Sequence, residues 1–303
     1  MIYYKLEEGL HEFSEIEDYD GDTVILLNHD EFMDKVNDNE IDESIIPKYK
    51  NARCCKLNVY NNCISGYVSI LSKNKKIERT NFGIIIEKHR VIFIDNGSYV
   101  RGLLKKLNLT KFHFAFTVGR FLYDFFETII EKDLRYIEEM SDRLIKKETA
   151  VINGTMDGFN SYMLTLKKEI LSFYRYYTQL VDVGSELEEN ENRFFSDRDV
   201  EKFSRFTTRA ERLREETQFL RETSNQLRDV YSSQIDRKMN KSMNALTVVT
   251  MLLLPISTIS AWYGMNFVYM PELAMKYGYL GCIIATILSI LGCWTFIKKK
   301  KII

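Results

Sequence analysis

Thirty consecutive positions, Ser242 to Pro271, carry no charge, and Lys241 and Glu272 bound them. Their core, Met243–Tyr263, reads MNALTVVTMLLLPISTISAWY. A second uncharged run of 21 residues, Tyr277–Ile297, lies between Lys276 and Lys298. A bilayer core of ~30 Å takes about 20 helical residues, so each run is long enough to cross one. Two such runs in tandem are rare in soluble cores. The pair reads as two C-terminal transmembrane helices, over about 243–263 and 277–297.

The flanks orient them. Arg237, Lys238 and Lys241 precede the first span, and Lys298, Lys299, Lys300 and Lys301 follow the second. The connection, Asn266–Lys276, has one Glu and one Lys. Basic residues stay inside, so both termini are expected in the cytoplasm, under a cell (inner) membrane. The start, MIYYKLEEGL, has no basic segment leading an apolar one and is not read as a signal peptide. Cys54, Cys55 and Cys63 are then expected as thiols. Without a CxxC or a nearby His they read as buried strand residues rather than zinc ligands. The C-terminal lysines read first as topology signals that also meet anionic headgroups.

Composition excludes other classes. A net charge of −1 removes the basic excess a nucleic-acid binder wants. His11, His29, His89 and His113 fall in no HExxH or triad pattern, and no GxxxxGK[ST] loop is present. No enzyme activity and no cofactor are expected. With 14 Gly and 3 Pro the chain is poor in turn residues, which argues against an all-β fold.

Residues 1–110 read as a cytoplasmic α/β domain. The β-rich runs are Thr23–Leu27, Arg53–Tyr60, Cys63–Leu71, Thr80–Ile86 and Val91–Ile94. Asn61-Asn62 and Lys88-His89-Arg90 suit turns, and Asp30–Val36 and Gly97–Leu107 suit helices. Residues 111–239 read as a helical bundle and stalk. Phe114–Ile152 is expected as one long amphipathic helix, and Gly158–Glu188 as its return, ended by the acidic run Glu186–Glu191. Phe194–Tyr263 then runs seventy residues without Gly, with Pro only at Pro255. As one helix it would span roughly 105 Å. Phe206, Ala210, Leu213, Thr217, Leu220, Ser224, Leu227, Tyr231 and Gln234 mark a heptad seam with polar members. It suits either a wide, partly wet bundle of copies or packing on the two preceding helices. Residues 240–303 form the transmembrane pore domain. The fold class is thus an α+β cytoplasmic domain, a long helical stalk and two C-terminal membrane helices.

Directly after the first span the chain reads Tyr263-Gly264-Met265-Asn266, continuing FVYMPEL to Leu273. Gly-Met-Asn at the mouth of the first of two C-terminal spans, followed by Met270-Pro271-Glu272-Leu273, resembles the signature of the CorA-type magnesium transporter family. The likeness is specific over about 225–301 and architectural over 1–224. It implies a funnel-shaped homopentamer in the lipid bilayer, whose first span lines a central pore for Mg2+, with Co2+ or Ni2+ as further cations. The lining it implies runs through Asn240, Met243, Leu246, Leu254, Ser257 and Ala261 to Gly264, Met265 and Asn266. Asp229 matches the family's pore-facing acid in the stalk, and Glu272 belongs to the outer loop.

The residues fit that chemistry. Between Asp236 and Glu272 there is no carboxylate. Mg2+ gives up its water reluctantly, and neutral amides and hydroxyls cannot replace that shell, only hydrogen-bond to it. Mg2+ is expected to enter hydrated and to be held through its waters, with Asn266 at the mouth. Gly264 is expected to let the backbone turn there. Met243, Leu246 and Leu254 would form apolar rings that gate by dewetting. Members of the family are regulated by intracellular Mg2+ held by carboxylates between cytoplasmic domains. Here Lys202, Arg205, Arg209, Arg212 and Arg214 interleave with Asp199, Glu201, Glu211 and Glu215, so no regulatory site is assigned. The alternatives are a zinc transporter of the related branch, which keeps Gly-Met-Asn but usually lacks the MPEL loop, and a membrane-tethered scaffold or sensor that transports nothing.

Overall fold

The computed structural model describes residues 1–6, 10–13, 21–38, 45–73, 78–109, 117–154, 157–266, 270–271 and 275–299. They divide into two units. One comprises Met1–Thr149 with Asp157–Leu227, and the other Ala150–Met156 with Arg228–Ile303.

The first unit is built on a seven-stranded mixed sheet. Its strands are β1 (Ile2–Leu6), β2 (Leu10–Phe13), β3 (Thr23–Leu27), β4 (Lys56–Val59), β5 (Ile64–Leu71), β6 (Arg79–Ile86) and β7 (Arg90–Ile94), in the order β2-β1-β3-β7-β6-β5-β4. Only β3 and β7 pair in parallel; the other neighbours are antiparallel. β3 coincides with its expected span. β4 is shorter, and β1 and β2 were not anticipated. Tyr60 N donates to Cys63 O at 2.8 Å, closing the expected turn around Asn61-Asn62. Glu87 N likewise donates to Arg90 O, so the second turn is Lys88-His89 and Arg90 belongs to the strand.

Both faces of the sheet are covered, which is why Val24–Leu27 of β3, Ile84–Ile86 of β6 and Val91–Ile94 of β7 are unbroken apolar runs. On one face Ile25, Leu27, Ile85, Ile92 and Ile94 pack with Phe32 and Val36 of α1 (His29–Asn37) and with Tyr49. Asn28 and Glu31 cap α1 reciprocally, each side chain accepting the other's backbone N–H. On the other face Phe82 and Phe93 meet Phe125, with ring centroids 5.9 and 4.7 Å apart. Cys55 and Cys63 are buried and Cys54 half-buried. Gly66 of β5 lies opposite Leu57 of β4, where a Cβ would stand 2.0 Å from the Lys56 carbonyl oxygen. Gly66→Ala must therefore push backbone from backbone. It is expected to destabilise the unit by about 1–3 kcal/mol, read as a lower thermal transition; an unchanged transition would refute the packing at this edge.

The helices are α2 (Tyr99–Leu109), α3 (Val118–Ile130), α4 (Asp133–Ile152), α5 (Phe159–Glu189), α6 (Asp197–Tyr263) and α7 (Gly278–Lys299). The single helix expected over Phe114–Ile152 is instead two, α3 and α4, broken at Glu131-Lys132, and residues 110–116 lie outside the described ones. No Gly or Pro marks the break. A side chain from the loop after β5 makes it: Lys73 donates to the Ile129 carbonyl and forms an ion pair with Asp133, the first residue of α4. Asp133 is fully buried.

α6 starts where expected, within three residues, and is 67 residues long. Its seam residues Phe206, Ala210, Leu213, Thr217, Leu220, Ser224 and Leu227 are all buried within one chain. Phe206 stacks on Phe126 of α3 at 5.5 Å, and Thr207 lies against Gly184 of α5. Down to Leu227 the seam is thus an intrachain contact rather than a coil between copies. The hydroxyl of Thr217 is satisfied by its own helix, at 2.8 Å from the Leu213 carbonyl, whereas the buried hydroxyl of Ser224 has no hydrogen-bond partner among the described residues.

Candidate functional site

The second unit holds the candidate pore residues. From Arg228 to Tyr263 α6 continues without a break, and α7 follows a short connection. Both helices are long and apolar enough to cross a membrane, with mean hydropathy 1.8 and 2.2 over their best stretches. Polar backbone groups at that depth must be satisfied internally, which a helix does.

Each helix has one half-covered stripe. On α6 it is Val248, Met251, Leu252, Pro255 and Ile259; on α7 it is Gly278, Cys282, Thr286, Ser289, Ile290 and Cys293, with Ile297 buried at the end. The α7 stripe is mostly small residues, which lets helices approach in an apolar medium. At about 100° per residue, Met243, Leu246, Leu254, Ser257 and Ala261 all fall on the side of α6 turned away from its stripe. Asn240 falls on the flank of that side. Met243 is 58% exposed, Leu246 67% and Leu254 63%. Asn240, Ser257 and Asp229 are exposed as well.

The outward sides of the two helices differ in kind. That of α7 is mainly large and apolar: Leu280, Ile284, Ile287, Leu288, Leu291 and Trp294 are exposed, as lipid would favour, and the hydroxyl there, Thr295, donates to the Gly292 carbonyl at 2.9 Å. That of α6 mixes Leu and Met with Thr250, Ser257, Ser260 and Ala261.

The hydroxyls of α6 are not equivalent. Thr247, Thr250 and Thr258 donate to the carbonyls of Met243, Leu246 and Leu254, one turn back, at 2.8–2.9 Å. Their β-branch holds the oxygen over the preceding turn. Ser257 makes no such bond among the described residues, and neither does Ser260, one turn nearer the helix end. Ser260 was passed over in the sequence. The Ser-x-x-Ser spacing that places it beside Ser257 was the signal available.

The helix closes at the Gly-Met-Asn motif. Gly264 N donates to the Ser260 carbonyl at 3.0 Å and Met265 N to Trp262 at 3.3 Å. Gly264 does not use the left-handed backbone region, where only Gly154 and Gly158 among the described glycines lie. Its demand is space: a Cβ there would approach the Ser260 oxygen to 3.1 Å. The expected turn is therefore present for a different reason. Asn266 is exposed and makes no hydrogen bond to a described residue, so its carboxamide does not cap the helix. Glu272, Lys300 and Lys301 lie outside the described residues. The structure thus brings Gly264, Met265 and Asn266 to one end of α6, with Ser257, Leu254, Leu246 and Met243 ordered along one side below them.

Comparison with known proteins gives consistent matches. The family described as CorA-like Mg2+ transporter protein matches residues 12–299. The cobalt/magnesium transport protein CorA of Thermotoga maritima is 24% identical over 208 residues, covering 67% of this chain and 55% of that protein. The magnesium transport protein CorA of Helicobacter pylori is 28% identical over 188 residues, covering 58% and 55%. The match spans about half the length of these curated relatives. The complete structure of the CorA magnesium transporter from Methanocaldococcus jannaschii superposes with a TM-score of 0.82 at 20% identity, over 98% of this chain and 96% of that one. That likeness extends the shared fold over nearly the whole chain: an α+β part, a long helix and two C-terminal apolar helices.

Proposed function

We propose that this chain, which belongs to the CorA-like Mg2+ transporter family, is one subunit of a homopentameric membrane channel that admits Mg2+, and Co2+ or Ni2+ after it, with both termini in the cytoplasm. The reading is carried by one observation: the outward side of α6 bears free hydroxyls and its end a free carboxamide, whereas the outward side of α7 is mainly large and apolar and its hydroxyl, Thr295, is spent on the Gly292 carbonyl. A lipid-facing side would gain nothing from Ser257, Ser260 or Asn266. Around a shared axis the same groups form neutral oxygen rings.

Neutral rings set the chemistry. The dehydration of Mg2+ is costly and the ion keeps several waters. Carboxamides and hydroxyls hydrogen-bond those waters in either direction, so recognition proceeds through the shell. Below Ser257, the rings of Leu254, Leu246 and Met243 offer no such bonds and close the path by dewetting. Asn240 and Asp229 meet the ion beyond them. At 100 mV, negative inside, a divalent ion gains roughly 4.6 kcal/mol, twice the single-charge value, which drives entry without ATP.

Hexaammine cobalt copies the size and hydrogen-bond donors of a hydrated ion and cannot shed its ligands. It is expected to block Mg2+ uptake into proteoliposomes, with half-block in the micromolar range. Uptake that ignores it at millimolar concentration would remove recognition through water.

A further inference from the structure

Two outward stripes of the sheet-bearing unit match each other and have no partner within the protomer. On α5, Lys168, Leu171 and Arg175 lie opposite the buried Leu166, Ile170, Phe173 and Tyr177. On α6, Glu215, Phe219 and Glu222 lie opposite the buried Leu213, Thr217, Leu220 and Ser224. Leu171 is 38% exposed and Phe219 63%, and all four charged residues are exposed. Glu222 accepts a bond from Gln218 at 2.8 Å. Lys168, Arg175 and Glu215 form no ion pair with a described residue.

Within the protomer α5 and α6 run antiparallel, and their register is known. Lys167 Nζ donates to Asn225 Oδ1 at 2.8 Å, and Gly184 abuts Thr207. Counting from Lys167 beside Asn225, Leu171 stands level with Arg221 and Arg175 with Thr217. Phe219 therefore stands at a height between Leu171 and Arg175. In a ring of copies about an axis along the helices, heights are conserved, and α5 of one copy is again antiparallel to α6 of the next.

The two stripes have the same spacing read in opposite directions. Lys168 is three residues before Leu171, and Arg175 four after it; Glu222 is three residues after Phe219, and Glu215 four before it. Antiparallel alignment puts Lys168 at Glu222, Leu171 at Phe219 and Arg175 at Glu215. An apolar pair is flanked by two opposite-charge pairs, an arrangement that fixes register as well as partner.

We propose that these stripes are the two halves of a heterologous contact between neighbouring copies of this chain, with α5 of one seated on α6 of the next. Such head-to-tail contacts close into rings when the rotation permits. This rests on the assembly of copies in the reading above and names the surface that makes it.

Cross-linking tests the contact. A full-length chain carrying both Leu171→Cys and Phe219→Cys, in membranes under a mild oxidant that takes up two electrons and two protons per bridge, is expected to give a ladder from dimer to closed ring. Wild type and the two single variants, which keep the five native cysteines, set the background. A monomer band from particles that still weigh as oligomers would overturn the contact and leave the channel reading standing; wild-type particles with the mass of one chain would overturn both. Glu215→Lys with Glu222→Lys is expected to reduce the oligomer fraction at least about tenfold, since like charges then face each other. Adding Lys168→Glu and Arg175→Glu to that chain restores it; no recovery would count against the pairing.

Discussion

Mg2+ uptake by the Asn266→Ala channel is expected to fall at least ~100-fold in proteoliposomes, with the particle mass unchanged. A single hydrogen bond contributes a net ~0.5–1.5 kcal/mol, and in a pentamer the substitution removes a carboxamide from every subunit at once. At the middle of that range five carboxamides acting together contribute about 5 kcal/mol, above the ~2.7 kcal/mol that two orders of magnitude require. The carboxamide is exposed and uncommitted to any described residue, so its removal frees no buried partner and leaves the fold intact. Asn266→Gln keeps the chemistry but lengthens the arm and is expected to lie between the two. Ser257→Ala, which removes a ring inside the membrane rather than at its mouth, is expected to cost less, about tenfold. Thr250→Val, whose hydroxyl is turned to its own helix, is expected to leave uptake within about twofold. Wild-type uptake by Asn266→Ala would detach the motif from ion recognition. An equal loss in Thr250→Val and Ser257→Ala would refute the distinction between bound and free hydroxyls.

What was legible in the sequence follows from where the determining forces are local. α7 and the membrane part of α6 are set by composition alone, because a charged residue at bilayer depth is too costly to ignore. β3 is a run of β-branched and leucine residues buried on both faces, and its ends coincide with the expectation. β1 and β2 read IYYKL and LHEF. Their mixed pattern has no period, and they are strands because β1 pairs on both sides with segments distant in sequence or across a turn. The α3–α4 break was invisible because nothing local causes it; Lys73, which makes it, is more than fifty residues away. The heptad seam was legible as a seam but not as to its partner, since periodicity describes one surface only. Burial of Phe206 to Leu227 within the chain settles that part. At the site, the motif drew attention to Gly264 and Asn266. Which hydroxyls remain free depends on side-chain rotamers, and only β-branching hinted at it.

The sheet-bearing unit has its own point of failure at Lys73. Lys73→Met is expected to destabilise it by about 3–5 kcal/mol, because the substitution strands a buried carboxylate without its cation. For a unit of this size that is a fall of roughly 6–20 °C in the thermal transition. Methionine keeps the length of the stem, so the loss is of charge rather than packing. The pH dependence identifies the cause. Burial holds the Asp133 carboxyl above the usual carboxylate range, and Lys73 opposes that rise. A raised pKa in the folded state means that folding favours the protonated acid. The stability this gives is present at low pH and is lost as pH rises through the folded value. Without Lys73 the folded value climbs further, and the penalty at neutral pH grows. The deficit of Lys73→Met relative to wild type is therefore expected to be largest at neutral pH and to shrink as pH is lowered toward 5. Asp133→Asn in the same chain removes the charge altogether and is expected to restore most of the stability at pH 7, because replacing both members of a buried pair avoids the stranded ion. A deficit independent of pH, or a double variant as unstable as the single one, would show that Lys73 acts through its bond to the Ile129 carbonyl and not through Asp133.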